Sequence, residues 1–371
     1  MCLIKIKQLL SVEFYQFATY LMGKRILIAP LDWGLGHATR CIPIIRHLLD
    51  TGNEPIIAAS GRPLLVLQSE FPEVESLQFE GYNISYPEGS GMVWKMFQST
   101  PHILRRIKEE HSELNEMIAS LKLDGVISDN RFGLYSDKIP CVYMTHQVMI
   151  KAPFLETMLY RLHADYMRKF TRVWVPDFEE NGLSGDLAHR FPLPRNAHYI
   201  GALSRFTVAE VELKIDVLVI ISGPEPQRTR FEKLALNQLK DFDGTVLAVL
   251  GTPDKDVDRV EGKVRTVSHL NAEQLEKEIL AARLVVSRSG YSTIMDLAAL
   301  GKQAVFVPTP GQTEQEYLAH KYHRDGTHMM MKQHDFQLQK AWNQRNKFSG
   351  FPQRASSEFK QAVESFLTSL S

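Results

Sequence analysis

Two segments of the chain combine residue types and spacings that suit a phosphate-bearing substrate, and the first is residues 31–40, LDWGLGHATR. Gly34 and Gly36 would let the chain turn tightly after a strand, and the helix that follows would direct its N-terminal amides at an anion. His37 stands in the first turn of this helix, where the helix dipole weakens the proton affinity of an imidazole. His37 is therefore the first candidate for a neutral general base.

The same glycine loop departs from two common nucleotide-binding motifs. In the dinucleotide motif G-x-G-x-x-G, Thr39 occupies the place of the third glycine, and no acidic residue ends the second predicted strand to bind a ribose. A Walker-type phosphate loop is absent as well, because Gly301 and Lys302 are followed by Gln303 and lack the upstream glycine. Nicotinamide binding is therefore not expected. The alternative to a phosphate-binding role for residues 31–40 is an ordinary strand-to-helix turn, in which glycines are common.

The second segment is residues 285–320, VVSRSGYSTIMDLAALGKQAVFVPTPGQTEQEYLAH. Ser289, Gly290 and Ser292 follow a predicted strand and open a helix whose first turn is rich in hydroxyls. The amides and dipole of such a helix terminus can hold a diphosphate without a metal ion. Asp296 lies about a turn and a half further on, where its carboxylate would take the hydroxyl pair of a ribose. The alternative for Asp296 is a solvated helix face.

Polar residues also follow the next predicted strand of this segment, after a loop shaped by two prolines. They are uncharged or acidic hydrogen-bonding residues: Gln312, Glu314, Gln315 and Glu316. Such side chains suit the hydroxyls of a sugar better than they suit phosphates.

The length and charge of the chain limit the kinds of protein it can be. Its 371 residues predict two domains. The 43 Lys and Arg residues balance the 43 Asp and Glu residues, which argues against a protein that binds nucleic acid through bulk charge. A hydrophobic fraction of 44% is that of a globular protein.

No metal or cofactor is expected from the sequence. The three cysteines, Cys2, Cys41 and Cys141, are far apart and read as reduced thiols of a cytoplasmic protein. They give no zinc-ligand spacing. The acidic residues of the segment 254–258, DKDVD, are interpreted as part of a solvated loop and not as a metal-binding motif, since no phosphate-binding glycine stands beside them.

Residues 1–21 resemble a signal peptide only superficially, because Glu13 and Gln16 interrupt the apolar run and no small-residue cleavage site follows. Met22 begins MGKRILIAP, a short polar lead into a buried strand. Residues 1–21 are therefore expected to be an upstream start-site artefact or a loosely attached segment. Nowhere does the sequence hold eighteen consecutive apolar residues, so no membrane span is expected.

Short apolar runs alternate with helical patterns along both halves of the chain, which predicts parallel sheets covered on both faces. Strands are predicted at residues 25–30, 56–60, 77–81, 125–128, 142–145, 173–175, 198–200, 217–222, 246–250, 264–267, 284–287 and 304–307. Helices are predicted at residues 38–49, 63–70, 94–121, 154–170, 230–240, 272–281, 292–300, 315–323 and 356–371.

The predicted fold class is α/β, with two Rossmann-like domains facing a central cleft. The N-terminal domain is expected at residues 22–200 and the C-terminal domain at residues 201–350. Residues 351–371 would form a C-terminal helix, with Phe359, Val363 and Phe366 on one side, that packs back on the N-terminal domain.

The sequence SRSGYSTIMDLAALGKQAVFVP followed by EQEYLAH resembles the C-terminal donor-binding domain of family 28 glycosyltransferases. WGLGHATR resembles the N-terminal glycine loop of that family, with its histidine in the matching place. The spacing is similar over most of residues 24–335, and the strongest similarity is in residues 285–320. The resemblance implies a GT-B fold and inverting sugar transfer from a nucleotide sugar, with UDP as the expected nucleotide. It also implies that residues 22–200 form the acceptor-side domain and residues 201–350 the nucleotide-sugar-binding domain.

The resemblance also implies roles for individual residues on the donor side. Asp296 stands where the family has a ribose-binding glutamate, and Gln315 falls where a glutamine reads the sugar hydroxyls. Glu316 replaces a second glutamine, which leaves the identity of the sugar open. Arg205 matches an arginine near the phosphates and base. Arg288, Ser289 and Gly290 match the start of the donor-site helix.

The acceptor side carries fewer matched residues. His37 matches a histidine of the acceptor-side loop that includes Gly34 and Gly36, and residues 145–147, THQ, resemble a polar triplet after an N-domain strand. Thr145 and Gln147 are therefore placed on the acceptor side. Asp129, at the end of the strand GVISD, and His146 are the rivals of His37 for the role of base. Their alternative is an ordinary turn-forming or satisfied polar residue.

One departure from the family lies in the C-terminal domain. The family's glycine- and serine-rich turn appears here as ISGPEPQ, which keeps Gly223 but adds Pro224 and Glu225. Pro224 removes a backbone donor and Glu225 adds a negative charge near the expected phosphate site. Either Arg228 or Arg230 would offset that charge, or the donor would lie differently.

The leading interpretation is a glycosyltransferase that moves a hexose, with N-acetylglucosamine as one candidate, to an acceptor that is a glycan, a lipid-linked sugar or a small molecule. A nucleotide-sugar epimerase and a catalytically idle nucleotide-sugar-binding regulator of an envelope pathway are the alternatives. Residues 94–106 and 150–172 are basic and aromatic-bearing, as interfacial helices are, so peripheral contact with the inner face of a membrane is a further hypothesis. The alternative is that these helices only cover a sheet.

Overall fold

The structure is a computed structural model that describes residues 23–82, 92–151 and 155–370, with the backbone alone for residues 92–100. The segment 1–21, expected as a start-site artefact or loose segment, lies outside the described residues. So do the side chains of residues 94–100, in the first of the two helices considered for membrane contact.

The N-terminal sheet has seven strands in the order β3-β2-β1-β4-β5-β6-β7, and every described pair is parallel. Its strands are β1 (Arg25–Pro30), β2 (Glu54–Ala59), β3 (Ser76–Gln78), β4 (Gly125–Asp129), β5 (Cys141–Met144), β6 (Arg172–Val175) and β7 (Ala197–Tyr199). Ile28 of β1 lies between Ile57 of β2 and Ile127 of β4. These side chains are fully buried because helices cover both faces of the sheet.

Most of the parallel strands of this domain are connected by helices, as parallel pairing requires a crossover connection. They are α1 (Leu35–Asp50), α2 (Gly61–Glu70), α3 (Met92–Ser120), α4 (Glu156–Met167) and the short α5 (Asp186–His189). Helix α1 begins directly after β1 and presents a continuous apolar face that includes Ile42, Ile45 and Leu48 to the sheet. This packing fixes the position of the glycine loop at the carboxyl end of β1.

The C-terminal sheet also has seven strands, in the order β10-β11-β9-β8-β12-β13-β14. They are β8 (Ile215–Ile220), β9 (Val246–Val249), β10 (Asp258–Glu261), β11 (Val264–Val267), β12 (Ala282–Ser287), β13 (Ala304–Phe306) and β14 (Met329–Met330). Only the β10–β11 pair is antiparallel among the described pairings. The core of this sheet is therefore again parallel and buried.

The second set of helices comprises α6 (Gln227–Leu239), α7 (Ala272–Ala281), α8 (Tyr291–Leu300), α9 (Thr313–Arg324), α10 (Leu338–Gln344) and α11 (Glu358–Thr368). Helix α7 begins with a capping box, in which Asn271 Oδ1 accepts from the amide of Gln274 and the side chain of Gln274 accepts from the amide of Asn271. Helix α8 ends at Gly301, which adopts a left-handed conformation.

The C-terminal helix α11 packs against the N-terminal domain. Phe359, Val363 and Phe366 are buried, and the ring of Phe366 meets the indole of Trp174 edge to face at 5.9 Å. Phe359 makes a similar contact with His47 of α1. The chain thus returns from the second sheet to the first before it ends.

The predicted α/β class with two facing Rossmann-like domains is confirmed. Each predicted strand is present with ends within a few residues of the expected ones, whereas β10 and β14 were not predicted. All four residues of β10 are exposed, so its sequence lacks the apolar signal of a buried strand. Asp258, interpreted as part of a solvated loop, begins this edge strand.

Candidate active site

The carboxyl ends of the two sheets face each other across a cleft, as is usual for ligand sites in open α/β sheets. A cavity of about 190 Å³ lies between the N-termini of α1 and α8 and is lined by residues of both domains. Ser292 Oγ donates a hydrogen bond to the backbone carbonyl of Gly36 at 2.7 Å. A Cβ on Gly36 would lie 3.0 Å from that oxygen, so the close approach of the two helices favours glycine there.

His37 occupies the wall of this cavity, with its side chain 15% exposed. Its Nδ1 lies 2.9 Å from Arg40 Nη2 and 3.2 Å from Asp129 Oδ1. When Nδ1 carries the proton and donates it to Asp129, the other ring nitrogen, Nε2, holds a free lone pair. In that tautomer His37 can act as a general base toward a group in the cavity, whereas in the other tautomer Nδ1 accepts from Arg40 Nη2 and Nε2 carries the proton.

Asp129 is fully buried and is committed to Arg40. Arg40 Nε donates to Asp129 Oδ2 at 2.6 Å, and Arg40 Nη2 donates to Asp129 Oδ1. Although burial alone would raise the pKa of Asp129, Arg40 and His37 lower it to about 2. Asp129 does not line the cavity, so the prediction that it is a rival base is corrected: its carboxylate orients His37 and Arg40.

His146 is held on both ring nitrogens. Arg40 Nη1 donates to its Nδ1 at 2.7 Å, so Nε2 carries the proton and donates it to Glu314 Oε1 at 2.8 Å. Burial lowers the pKa of His146, which keeps the ring neutral. The prediction that His146 is a rival base is therefore corrected as well, because neither nitrogen is left for a substrate.

Glu314 of α9 contacts the N-terminal domain at this point, and the sequence indicated it only as one of several hydrogen-bonding residues. Besides His146, its carboxylate accepts from the side-chain amide of Gln147. Burial would raise the pKa of Glu314, but His146, His37 and Arg40 lower it, so the carboxylate is ionised. The nearby Thr145 is buried, and its hydroxyl accepts from the amide of Gln147 at 3.1 Å.

On the donor side, Asp296 lies in the cavity wall and is only 7% exposed, which excludes the alternative of a solvated helix face. Its Oδ1 accepts from Ser204 Oγ at 2.9 Å, and Arg205 Nε lies 3.5 Å from its Oδ2. Burial raises the pKa of Asp296, although Arg205 opposes that shift. Arg205 also lies over the ring of Phe206. The structure thus brings the two predicted residues Asp296 and Arg205 together in the cavity wall.

Arg288, which matches the start of the donor-site helix, borders the cavity, but its guanidinium is occupied by contacts within the protein. The guanidinium is buried and donates to four backbone carbonyls and one side chain: Ser222, Gln227, Val307, Pro308 and the amide oxygen of Gln333. Burial lowers the pKa of Arg288 to about 9. The side chain therefore ties the loops of the donor site together at the wall of the cavity.

The other predicted donor residues divide into two groups. Gly223, Gly290 and Ser292 line the cavity. Ser289 Oγ instead donates to the backbone carbonyl of Gln315 at 2.7 Å, and Gln315 Oε1 accepts from the amide of Thr309 at 2.9 Å. The side chain of Gln315 nevertheless borders the cavity.

Glu316 turns away from the cavity and stabilises the loop that precedes α9. Its Oε1 accepts from the amide of Gly311 at 2.9 Å, and it is absent from the cavity wall. The expectation that Glu316 binds the donor is corrected on this geometry. In the neighbouring turn, the charge of Glu225 is neutralised by Arg228, whose Nε donates to Glu225 Oε1 at 2.6 Å.

A second cavity of about 620 Å³ adjoins the first and shares the turn at Trp33, Gly34 and Leu35 with it. Its N-terminal wall consists of residues at the ends of β1, β2 and β3: Asp32, Ser60, Arg62, Gln78 and Glu80. Its C-terminal wall is the turn from Ser222 to Glu225. Gly34 lines both cavities. Its φ of 81° is in the left-handed region, which favours glycine.

Within residues 23–82, 92–151 and 155–370, no group of three or more His, Cys, Asp or Glu side chains is arranged to hold a metal ion. Over the same part of the chain, none of the helices combines the length and apolar character needed to cross a bilayer.

Comparison with known proteins relates the C-terminal half to one family. Residues 250–369 match the model of the glycosyltransferase family 28 C-terminal domain, a range that includes α8 and α9. An N-acetylglucosamine transferase from Methylobacterium radiotolerans, which uses UDP-N-acetylglucosamine and a pyrophosphoryl-undecaprenol acceptor by its name, is 44% identical over 64 residues. That match covers 17% of this chain and only 17% of the relative, so the shared stretch is a small part of either protein.

Two further similarities extend over most of the chain. An uncharacterised glycosyltransferase from Methanosarcina acetivorans is 22% identical over 334 residues, covering 83% of this chain and 85% of that protein. The crystal structure of the glycosyltransferase SnogD from Streptomyces nogalater superposes with a TM-score of 0.58 at 12% identity, covering 94% of this chain and 95% of that one. The predicted resemblance to family 28 is confirmed, and the fold is that of GT-B glycosyltransferases.

Proposed function

We propose that the protein transfers a hexose from a nucleotide diphosphate sugar to a hydroxyl group of an acceptor, with inversion at the anomeric carbon. The observation that carries this proposal is the cavity between the N-termini of α1 and α8, with His37 on one wall and Asp296 on the other. A donor diphosphate at the amides of α8 would bring its sugar toward His37.

The donor would bind through its nucleotide at the end of the cavity formed by Arg205 and Asp296. Asp296 would accept from the ribose hydroxyls, and Arg205 would neutralise part of the diphosphate charge. We propose UDP as the nucleotide and N-acetylglucosamine as the first sugar to test. The name of the Methylobacterium relative supports this choice.

In the transfer step, His37 Nε2 would take the proton of the acceptor hydroxyl while its oxygen attacks the anomeric carbon of the sugar. The bond between that carbon and the diphosphate oxygen would break at the same time. The departing diphosphate would carry the bonding electrons away, stabilised by the amides of α8 and by Arg205. Asp129, 3.2 Å from His37 Nδ1, would stabilise the imidazolium that forms.

The acceptor would enter through the second cavity, because that space adjoins the cavity of His37 at the turn of residues 33–35 and much of its wall belongs to the N-terminal domain. A glycan, a lipid-linked sugar or a small molecule remains proposed as the acceptor. Peripheral membrane contact at the cytoplasmic face is also proposed. Met158 and Leu162, which are 47% and 53% exposed and one turn apart on α4, support it.

A panel of UDP-, GDP- and TDP-sugars tests the proposed function. Thermal stabilisation by one donor identifies the nucleotide, and product analysis separates the alternatives. A glycosyltransferase releases the free nucleotide diphosphate, an epimerase returns an isomeric donor, and an idle binding protein does neither. If no donor stabilises the protein and none is consumed, the proposed function is wrong.

A further inference from the structure

Two side chains in the wall of the second cavity carry hydrogen-bonding groups that lack a partner. They belong to the neighbouring residues Asp32 and Trp33, in the turn that connects β1 to α1. Within the described part of the chain, Asp32 Oδ1 and Trp33 Nε1 are hidden from solvent, yet neither makes a hydrogen bond. Because a buried polar atom without a partner is costly, this pair points to a ligand that supplies the missing bonds.

The carboxylate of Asp32 lies against the backbone of Gly81, which follows β3. A Cβ on Gly81 would overlap this carboxylate, so the missing side chain of Gly81 leaves room for it. The backbone carbonyl of Asp32 accepts from the amide of Gly34 at 3.0 Å, which closes the turn. Asp32 is therefore placed at the cavity wall by its backbone and its packing, and the carboxylate keeps its capacity to accept a hydrogen bond from a ligand.

Trp33 adds an aromatic surface beside this carboxylate. Its indole meets the ring of Tyr82 edge to face, with centroids 6.3 Å apart, and it borders both cavities. An indole combines an apolar ring with a single N–H donor. A sugar ring presents hydroxyls beside apolar C–H groups, so a carboxylate next to an indole matches the chemistry of a carbohydrate.

The charged residues in the wall of the second cavity are mainly acidic. Among the described lining residues they are Asp32, Glu80, Glu225 and one cation, Arg62. Arg62 is already engaged, because its Nε donates to Asp254 Oδ1 at 2.9 Å and its Nη1 lies 3.8 Å from Glu225 Oε1. The N-termini of α1 and α2 also border the cavity, each equivalent to roughly half a positive charge, which is less than the carboxylates contribute. A phosphate in this cavity would therefore meet an acidic wall.

We propose that the second cavity binds an uncharged sugar ring of the acceptor, with Asp32 accepting from a sugar hydroxyl and Trp33 Nε1 donating to a sugar oxygen. The inference rests on the proposed function, since it concerns the acceptor whose hydroxyl His37 would deprotonate. Of the proposed acceptors, it favours a neutral glycan or glycoside over a sugar linked through a diphosphate. The volume of about 620 Å³ lies within the usual range of ligand pockets, roughly 300–1,000 Å³.

Matched acceptors test the charge of this site. With the nucleotide sugar that stabilises the protein as donor, kcat/KM is measured for the methyl glycosides of glucose, galactose and N-acetylglucosamine and for the 1-phosphates of the same sugars. We expect at least one methyl glycoside to be used ~10-fold or more efficiently than its 1-phosphate, because the phosphate would face carboxylates. Equal or better use of the 1-phosphates would overturn the proposal, and so would consumption of the donor with no glycoside accepted.

Substitutions of the two residues test their roles. Asp32→Ala and Trp33→Ala should each lower kcat/KM for the preferred glycoside ~10-fold or more, chiefly through KM, because each removes a hydrogen bond to the acceptor. Asp32→Asn, which keeps a carbonyl oxygen, and Trp33→Phe, which keeps an aromatic ring, should recover part of the loss. The control is Asp243→Ala, at an exposed aspartate that pairs with Lys263 and borders neither cavity, and it should behave like the unaltered protein.

Monodeoxy analogues of the preferred glycoside separate direct contact from a structural role. Removing the hydroxyl that Asp32 binds should lower kcat/KM of the unaltered protein but not that of Asp32→Ala, in which the bond is already lost. Equal losses in both proteins for every analogue would exclude contact between Asp32 and the acceptor.

Donor binding distinguishes failure of this inference from failure of the proposed function. UDP affinity, measured by calorimetry, should be nearly unchanged in Asp32→Ala, because Asp32 does not border the first cavity. A parallel loss of UDP affinity and glycoside use would make Asp32 a structural residue and overturn its role. A protein that binds and consumes no nucleotide sugar would refute the proposed function, and calorimetric binding of the methyl glycosides alone would still decide whether the second cavity takes a sugar.

Discussion

The imidazole of His146 and the phenol ring of Tyr291 stack across the boundary between the two domains, with centroids 4.3 Å apart and planes 5° from parallel. His146 follows the fifth strand of the first sheet, whereas Tyr291 opens the donor-site helix of the second. The hydroxyl of Tyr291 also donates to the carbonyl of Pro176 at 2.9 Å. The helix proposed to hold the donor diphosphate is thereby fixed to the domain that carries His37.

We expect Tyr291→Ala to destabilise the protein by about 3–5 kcal/mol, because it removes a buried aromatic ring and leaves a cavity at the domain boundary. Tyr291→Phe keeps the stack and should cost only about 1 kcal/mol, for the lost hydrogen bond. Denaturant unfolding midpoints measure both. Tyr160→Ala, at a stacked, half-buried tyrosine within one domain, is the control, and an equal loss there would contradict a special role for the boundary.

Asp296 should contribute to nucleotide binding more than to the fold. Asp296→Ala is expected to weaken binding of UDP by about 1–3 kcal/mol, through loss of charged hydrogen bonds to the ribose. Isothermal titration calorimetry measures the change. Ser204→Ala serves as the comparison, because it removes only the neighbour that donates to Asp296 and should alter UDP affinity less. Equal affinities for all three proteins would remove Asp296 from the donor site.

Arg288 is expected to act on the fold of the donor loops and not on the diphosphate. Arg288→Met would leave several buried carbonyls without a donor, so unfolding should become easier by about 3 kcal/mol or more. In the fraction that remains folded, UDP should bind with nearly unchanged affinity. A variant with normal unfolding but much weaker UDP binding would return Arg288 to the role of a phosphate ligand.

Two buried histidines make stability depend on pH. His328 lies among the rings of Phe306, Tyr322 and Phe351, and burial lowers its pKa to about 4. Burial also lowers the pKa of His163 to about 4. Since an unfolded histidine has a pKa near ~6.5, their stabilising effect is complete above that pH and is lost as the pH falls toward 4.

Substitution of His328 by phenylalanine tests this dependence. The difference in unfolding free energy between pH 7 and pH 4 should shrink by about 3 kcal/mol, because one pKa unit corresponds to about 1.4 kcal/mol. Urea unfolding at several pH values measures it. His334→Phe, at an exposed histidine, is the matched control and should leave the slope as it is. A slope unaffected by His328→Phe would mean that the ring is already charged or hydrated in the folded protein.

The sequence predicted the fold well because its signals are local. The buried strands are short apolar runs, and the capping and glycine patterns at the starts and ends of helices are readable without knowledge of tertiary contacts. Strand β10 was missed because its exposed residues carry no apolar signal. The helix that follows Ser289 was also predicted from its local sequence pattern, and Gly290 and Ser292 at its start line the cavity.

The candidate site was predicted less completely, because burial and pairing across domains leave no local signal. Nothing near Asp129 in the sequence indicates that Arg40, 89 residues away, would bind its carboxylate. Likewise, Glu314 and His146 are separated by 168 residues. Arg40 stands three residues after His37 on one helix face, which is the one sequence signal that could have connected these two residues.

The role of His37 is the central claim, and the most direct measurement compares His37→Ala with the unaltered protein in donor binding and in turnover. Binding of UDP-N-acetylglucosamine is measured by calorimetry and UDP release by a coupled assay. We expect nearly unchanged donor affinity and a turnover lower by ~100-fold or more, as for the loss of a general base. Unchanged turnover in His37→Ala, with the donor still bound, would contradict the assignment of His37 as the base.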